Sequence, residues 1–254
     1  MPKAEDVRSM FDRIAGRYDL VNRVMTMGID RRWRRVAISR ALHGEAGRVL
    51  DVCCGTGDIT FGLAQAGAEH AVGVDFSANM LEQARARQQR QPAGVASRVE
   101  FVQGDALALP FDADTFDAVT VSFGVRNVED LAQAFREFSR VVRPGGRVVC
   151  LEITRPTFGP AKLFYGLWFH RIVPFVGGLI AGDRAAYTYL PESTKQFPRP
   201  PALRTLMENC GLNDVSWKKF AGGIVALHVG TVAAEHVEHA ASVPPAEAST
   251  GVSH

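Results

Sequence analysis

The sequence predicts an α/β fold, a mostly parallel sheet with helices on both faces. Two patterns carry that expectation. Short apolar runs at 48–52, 71–75, 99–103, 116–122 and 147–152 follow one another through the middle of the chain. Amphipathic stretches at helical spacing separate them, at 58–65, 77–90 and 130–142. Buried runs that alternate with helices mark parallel strands joined by crossovers. A third observation agrees: Gly55-Thr56-Gly57 directly follows the first run, where a strand must turn sharply into a helix.

The N-terminal region comes before this alternation. Residues 5–43 read as helical, with Val7, Met10, Phe11 and Ile14 on one stripe and Trp33, Val36, Ala37, Ala41 and Leu42 on another. Gly28 breaks the region into two pieces. In the helix at 130–142, Leu131, Ala134, Phe135, Phe138, Val141 and Val142 share a face, and Asn127 is a candidate cap just before it. After Glu152 the pattern changes. Residues 156–182 are apolar and rich in Pro, Gly and large aromatics, which fits a helical insertion reaching to about 200. A helix at 201–210 ends at Gly211. Runs at 215–220 and 224–229 then read as two strands joined by Ala221-Gly222-Gly223. Residues 1–232 thus read as a single domain, and 233–254 lack periodicity and read as a disordered tail.

Bulk composition narrows the function. Hydrophobic residues make up 46% of the 254 and charged residues 22%, ordinary values for a globular protein. A net charge of +2 gives no general field for nucleic acid. Arg31, Arg32, Arg34 and Arg35 surround Trp33. They read as a solvated helix face, with a docking face for anionic lipid headgroups as the alternative. Cys53, Cys54, Cys150 and Cys210 have no zinc spacing and fit reduced, buried thiols in a cytoplasmic protein. The N-terminus has no apolar h-region, and no apolar run is long enough to span a bilayer.

The loop after the first strand is the candidate cofactor site. Gly55 and Gly57 allow close backbone approach, but Thr60 stands where a dinucleotide fold would place a third glycine. Asp75 ends the second strand, where an acid can accept both hydroxyls of a ribose. Alone, that suits either NAD or S-adenosylmethionine (SAM). Asp105 ends the third strand, where a carboxylate can accept from an adenine amino group. Phe116-Asp117-Ala118-Val119 opens the fourth strand, and Arg143-Pro144-Gly145-Gly146 forms the turn before the fifth. Together these features resemble class I SAM-dependent methyltransferases. That resemblance implies a Rossmann-like, seven-stranded, mostly parallel sheet whose antiparallel last strand lies between the fifth and sixth. Ser122-Phe123-Gly124-Val125-Arg126-Asn127-Val128 stands where an exocyclic-amine methylase of nucleic acid would carry a Pro-Pro motif, and no metal-ligand cluster is evident.

Five segments point further. They are Tyr18-Asp19-Leu20-Val21-Asn22 running to Trp33, Ser122 to Val128, and Arg140 to Glu152. The other two are Tyr187-Thr188-Tyr189-Leu190-Pro191-Glu192-Ser193 and Gly222-Gly223-Ile224-Val225-Ala226-Leu227-His228. In that order they are similar to the ubiquinone/menaquinone biosynthesis C-methyltransferase family over residues 7–230. The resemblance implies that Thr56, Asp75, Asp105, Ala106 and Ser122 contact SAM, and that Tyr18, Arg126 and Asn127 surround the acceptor. It implies C-methylation of a polyprenylated hydroquinone: demethylmenaquinol, or alternatively a ubiquinol precursor or another small phenol. Asp30 departs from the pattern, since family members often carry histidine there. His228 reads either as a structural residue or as a proton relay. A greasy substrate gives 156–182 two readings: a lid or peripheral contact at the inner membrane face, or core packing and a homodimer interface.

Overall fold

Alternating side chains on each strand divide the interior in two. On β1 (Arg48–Val52), Leu50 and Val52 join one apolar cluster, while Val49 joins the other. The computed structural model describes residues 26, 28–42, 47–156, 159–168 and 193–233. Helices α1 (Asp30–Ala41) and α2 (Asp58–Gln65) cover the Val49 face with Ala37, Ile38, Ile59 and Leu63. Further on come β2 (His70–Asp75), α3 (Ala78–Gln88), a short α4 (Ala93–Ala96), β3 (Val99–Gln103) and β4 (Phe116–Ser122). Helices α5 (Leu131–Val141) and, late in the chain, α7 (Pro200–Glu208) cover the opposite face. There Phe135, Phe138, Leu203 and Met207 are fully buried.

The remaining elements are β5 (Val142–Ile153), α6 (Gly159–Leu167), β6 (Leu212–Phe220) and β7 (Val225–Val232). The seven strands form one sheet in the order β3-β2-β1-β4-β5-β7-β6. Strands β1 to β5 pair in parallel, and β7 runs antiparallel to both β5 and β6, between them, as expected. Strand order reverses between β1 and β4. At such a switch point the loops leaving the two strands diverge and open a crevice at their C-terminal ends.

Local chemistry sets the helix ends. Ser77 caps α3 by accepting from the Met80 N–H at 3.1 Å. Asp130 caps α5 by accepting from the Gln133 N–H at 2.9 Å. Asp130 thus takes the capping role that the sequence offered to Asn127, which instead closes a 3-10 turn, Val125–Asn127. Pro144-Gly145-Gly146 also differs from expectation. It lies within β5 as a bulge: Phe116 pairs with Val142, yet Ala118 pairs with Arg147. Gly145 supplies a φ of 80°, and a Cβ on Gly146 would stand 2.6 Å from the Asp117 carbonyl. The expected N-terminal piece of the 5–43 helix, most of the 156–200 insertion and nearly all of the tail lie outside the described residues. No described helix is long and apolar enough to cross a membrane.

Candidate active site

The crevice at the switch point is an open cleft of about 1160 Å³. Val52, Val74 and Met80 give it apolar walls, and the ends of β1 to β4 supply its polar groups. The structure brings Gly55, Thr56, Asp75, Asp105, Ala106, Ser122 and Asn127 together around it. These residues lie as much as 72 positions apart in the chain (127 − 55). Gly57 does not line the cleft. It starts α2 at φ 88°, where a Cβ would meet the Phe101 and Phe61 rings at 2.8 and 2.9 Å. Tyr18 lies outside the described residues.

Asp75 holds the glycine loop. One carboxylate oxygen accepts from the Gly55 N–H at 2.7 Å, and the other accepts from the Ser77 N–H at 2.9 Å. A clamp from α3 fixes the other side of the loop. Arg87 donates to the Thr56 carbonyl at 3.0 Å and hydroxyl at 2.7 Å, and pairs with Asp58 at 2.6 Å. Asp105 turns its own loop by accepting from the Leu107 N–H at 2.9 Å. On the β4 side, Ser122 Oγ and Asn127 Oδ1 are buried with no hydrogen-bond partner among the described residues. Orphaned oxygens beside an open cleft are groups waiting for a ligand's donors. The donor and acceptor set fits an adenosyl group with a charged amino-acid tail.

Arg126 sits behind this surface rather than on it. Its guanidinium pairs with Glu152 at 2.7 Å, with side-chain exposures of 6% and 1%. It also donates to the Phe123 carbonyl, and Glu152 accepts from the backbone N–H groups of Arg126 and Ile153. The pair ties β5 to the turn that carries Ser122 and Asn127. Sequence reasoning gave no site role to Glu152, Arg87 or Arg34. The shared end of two neighbouring strands was the signal for Glu152. Helical periodicity marked nothing for the two arginines. Cys53 and Cys54 also line the cleft, and burial pushes both thiols well up, so they stay protonated rather than nucleophilic.

His228 takes the structural role. It is buried on β7, its Nε2–H donates to the Pro200 carbonyl at 3.1 Å, and burial lowers its pKa to about 4. Asp51 is a second buried titrating group. Burial raises its pKa to about 7, although the hydroxyls of Thr60 (2.7 Å) and Thr120 (2.9 Å) donate to it and Arg34 attracts its charge. An acid raised in the folded state stabilises the fold fully below its unfolded value, and loses that contribution as pH climbs to the folded value. Asn at position 51 can still bond both hydroxyls without titrating. We therefore expect the stability of Asp51→Asn, relative to wild type, to rise by about 1.4 kcal/mol per pH unit between about pH 4 and 7, and to level off above. Urea midpoints across that range measure this, and a pH-independent difference would refute it.

A parallel sheet with a reversed strand beside its edge, and a cleft of this kind at its switch point, define a Rossmann-like methyltransferase. Comparison with known proteins agrees. Residues 1–232 match the ubiE/COQ5 methyltransferase family. The chain is 46% identical over 223 residues to the demethylmenaquinone methyltransferase of Thermus thermophilus, covering 87% of this chain and 99% of that one. It is 44% identical over 229 residues to the enzyme of the same name from Roseiflexus castenholzii, covering 90% and 94%. Its fold is similar to a SAM-dependent methyltransferase from Thermotoga maritima, at a TM-score of 0.60 and 21% identity over 88% of this chain and 98% of that one. The chain belongs to the ubiE/COQ5 methyltransferase family and is a SAM-dependent methyltransferase.

Proposed function

We propose that this enzyme methylates a ring carbon of demethylmenaquinol. The identity to proteins named for that reaction, along almost their whole length, carries the reading. The match to 1–232 also supports a single catalytic domain with 233–254 outside it. We further place the enzyme in the cytoplasm, in peripheral contact with the inner membrane face where a prenylated quinol resides.

SAM supplies an activated methyl group on a positively charged sulfur. The chain's own residues must hold it, align the ring and manage one proton. Asp75 would receive the ribose hydroxyls, and Asp105 the adenine amino group. The Ala106 N–H would serve the adenine ring. Gly55 and Thr56 would hold the methionyl end, and the Gly57 turn sets their approach. Ser122 Oγ and Asn127 Oδ1 would accept from donors of the bound reactants, and family resemblance gives Tyr18 a role toward the acceptor. A ring carbon becomes a better nucleophile when its hydroquinone loses a proton. Negative charge builds on a ring oxygen before attack and passes into the ring carbon as the new bond forms, after which the ring-carbon proton leaves and restores the aromatic ring. Arg126 is always protonated and is no base. Its charge is buried behind the cleft and offset by Glu152, so Arg126 acts as a positioning residue that keeps the turn carrying Asn127 rigid. Holding the two reactants together in the cleft would supply the rest.

Methyl transfer from radiolabelled SAM tests the reading, with reduced demethylmenaquinone and a reduced demethylated ubiquinone precursor offered separately in detergent. Label is expected in the naphthoquinol product and lost in Asn127→Ala. Label in the benzoquinol alone would reassign the substrate, and label in neither would end the quinol reading.

A further inference from the structure

The cleft carries an imbalance of charge. Asp58, Asp75, Asp105 and Glu129 line it, and Arg34 is the one cation among its described lining residues. SAM has a sulfonium, an ammonium and one carboxylate. Acids suit its positive groups and its hydroxyls, so the carboxylate must find a donor elsewhere. In many α/β folds the glycine loop and the helix N-terminus receive an anion. Here those donors are engaged or opposed. The Gly55 N–H donates to Asp75 at 2.7 Å, and the Gly57 N–H to the Cys54 carbonyl at 3.0 Å. Asp58 places a carboxylate, paired with Arg87 at 2.6 Å, in the first turn of α2.

Arg34 is built into the opposite wall. It projects from α1 with a side chain only 16% exposed, and its Nε donates to Asp30 at 3.3 Å. The Thr26 hydroxyl fixes the other oxygen of Asp30 at 2.8 Å. The guanidinium carbon lies 5.3 Å from the centre of the Phe123 ring, at the mouth of β4. The Nη groups make no hydrogen bond to a described residue. A guanidinium held by its Nε and lying over an aromatic ring presents its outer edge as a fork, which matches a carboxylate in two parallel hydrogen bonds.

We infer that Arg34 receives the α-carboxylate of the methionyl end of SAM, and that Asp30 and Phe123 set its orientation. The inference rests on SAM occupying this cleft. It also gives Asp30 a purpose, since the acid orients the cation that the cofactor needs.

Isothermal titration calorimetry on the full chain tests it, comparing SAM with its decarboxylated analogue, S-adenosylmethioninamine. Wild type is expected to prefer SAM by about 10- to 100-fold, the range for a charge-assisted pair. Arg34→Met should lose that preference by weakening SAM alone, with the analogue bound as before. Arg34→Lys, a point charge without the fork, should retain part of it. Asp30→Asn should also weaken SAM selectively, and thermal melting reports whether each variant is folded. A preference unchanged in Arg34→Met overturns the assignment. An equal loss for both ligands does so too, because Arg34 would then only offset the buried charge of Asp51. If wild type binds no SAM, the placement of the cofactor in this cleft falls, and the assignment falls with it.

Discussion

Glu152→Ala is expected to cost about 3–5 kcal/mol of folding stability, because it removes the carboxylate that balances a buried guanidinium. Arg126 and Glu152 are 6% and 1% exposed and meet at 2.7 Å. At a surface the same pair would be worth about 0–1 kcal/mol, since water would replace the lost partner. Here water has little access to either side chain, so Glu152 and the Phe123 carbonyl offset much of the desolvation cost of Arg126. Removing the acid also frees two backbone N–H groups, those of Arg126 and Ile153. Arg126→Met should be destabilising for the converse reason. The double variant should recover much of the loss, because deleting both charges removes the burial penalty along with the attraction. Urea denaturation of the four proteins gives the coupling directly. A coupling energy below about 1 kcal/mol would mean that the pair behaves as a surface pair, contrary to its burial. Methyl transfer should fall in Glu152→Gln as well. The amide keeps the shape, but it no longer offsets the charge that holds the turn from Phe123 to Asn127.

The pair also shows which parts of the molecule were legible in the sequence. Strands β1 to β5 were, because burial on both faces leaves a continuous apolar run and the period changes at each helix, and so were β6 and the reversed β7 with their glycine turn. Asp75 and Asp105 were legible because a strand end has one geometric meaning in this fold. Arg34 was hidden among Arg31, Arg32 and Arg35. Helical spacing says that four basic residues share a surface, but not which one turns inward over Phe123. Arg87 was hidden for a similar reason, since its clamp joins residues 31 positions apart through tertiary packing alone. The Pro-Gly-Gly segment reads as a turn because proline and two glycines usually make one. It is a bulge in β5 because the pairing of β4 with that strand resumes on its far side. The helix cap fell to Asp130 rather than Asn127 because the 3-10 turn carries the chain a few residues further before α5 begins.

Asp75→Ala should weaken SAM binding by about 10²- to 10³-fold, with a far smaller effect on the fold. Two losses combine. The ribose loses its acceptor, and the glycine loop loses the carboxylate that fixes Gly55 at 2.7 Å. The cleft is open, so water can satisfy the released N–H groups, and stability should fall by no more than about 2 kcal/mol. Asp75→Asn distinguishes charge from geometry. Both carboxylate oxygens accept from backbone donors, one from Gly55 and one from Ser77. An amide offers one oxygen and one NH₂, so whichever way it turns, a donor faces a donor. Asn should therefore rescue little, although it matches Asp in size. Calorimetric titration of SAM into the three proteins measures this, with urea midpoints as the control for folding. Affinity in Asp75→Asn within about threefold of wild type would mean that neither the charge nor the second acceptor matters. The loop would then be held by Arg87 and the strand ends alone, and Asp75 would have no special claim on the ribose.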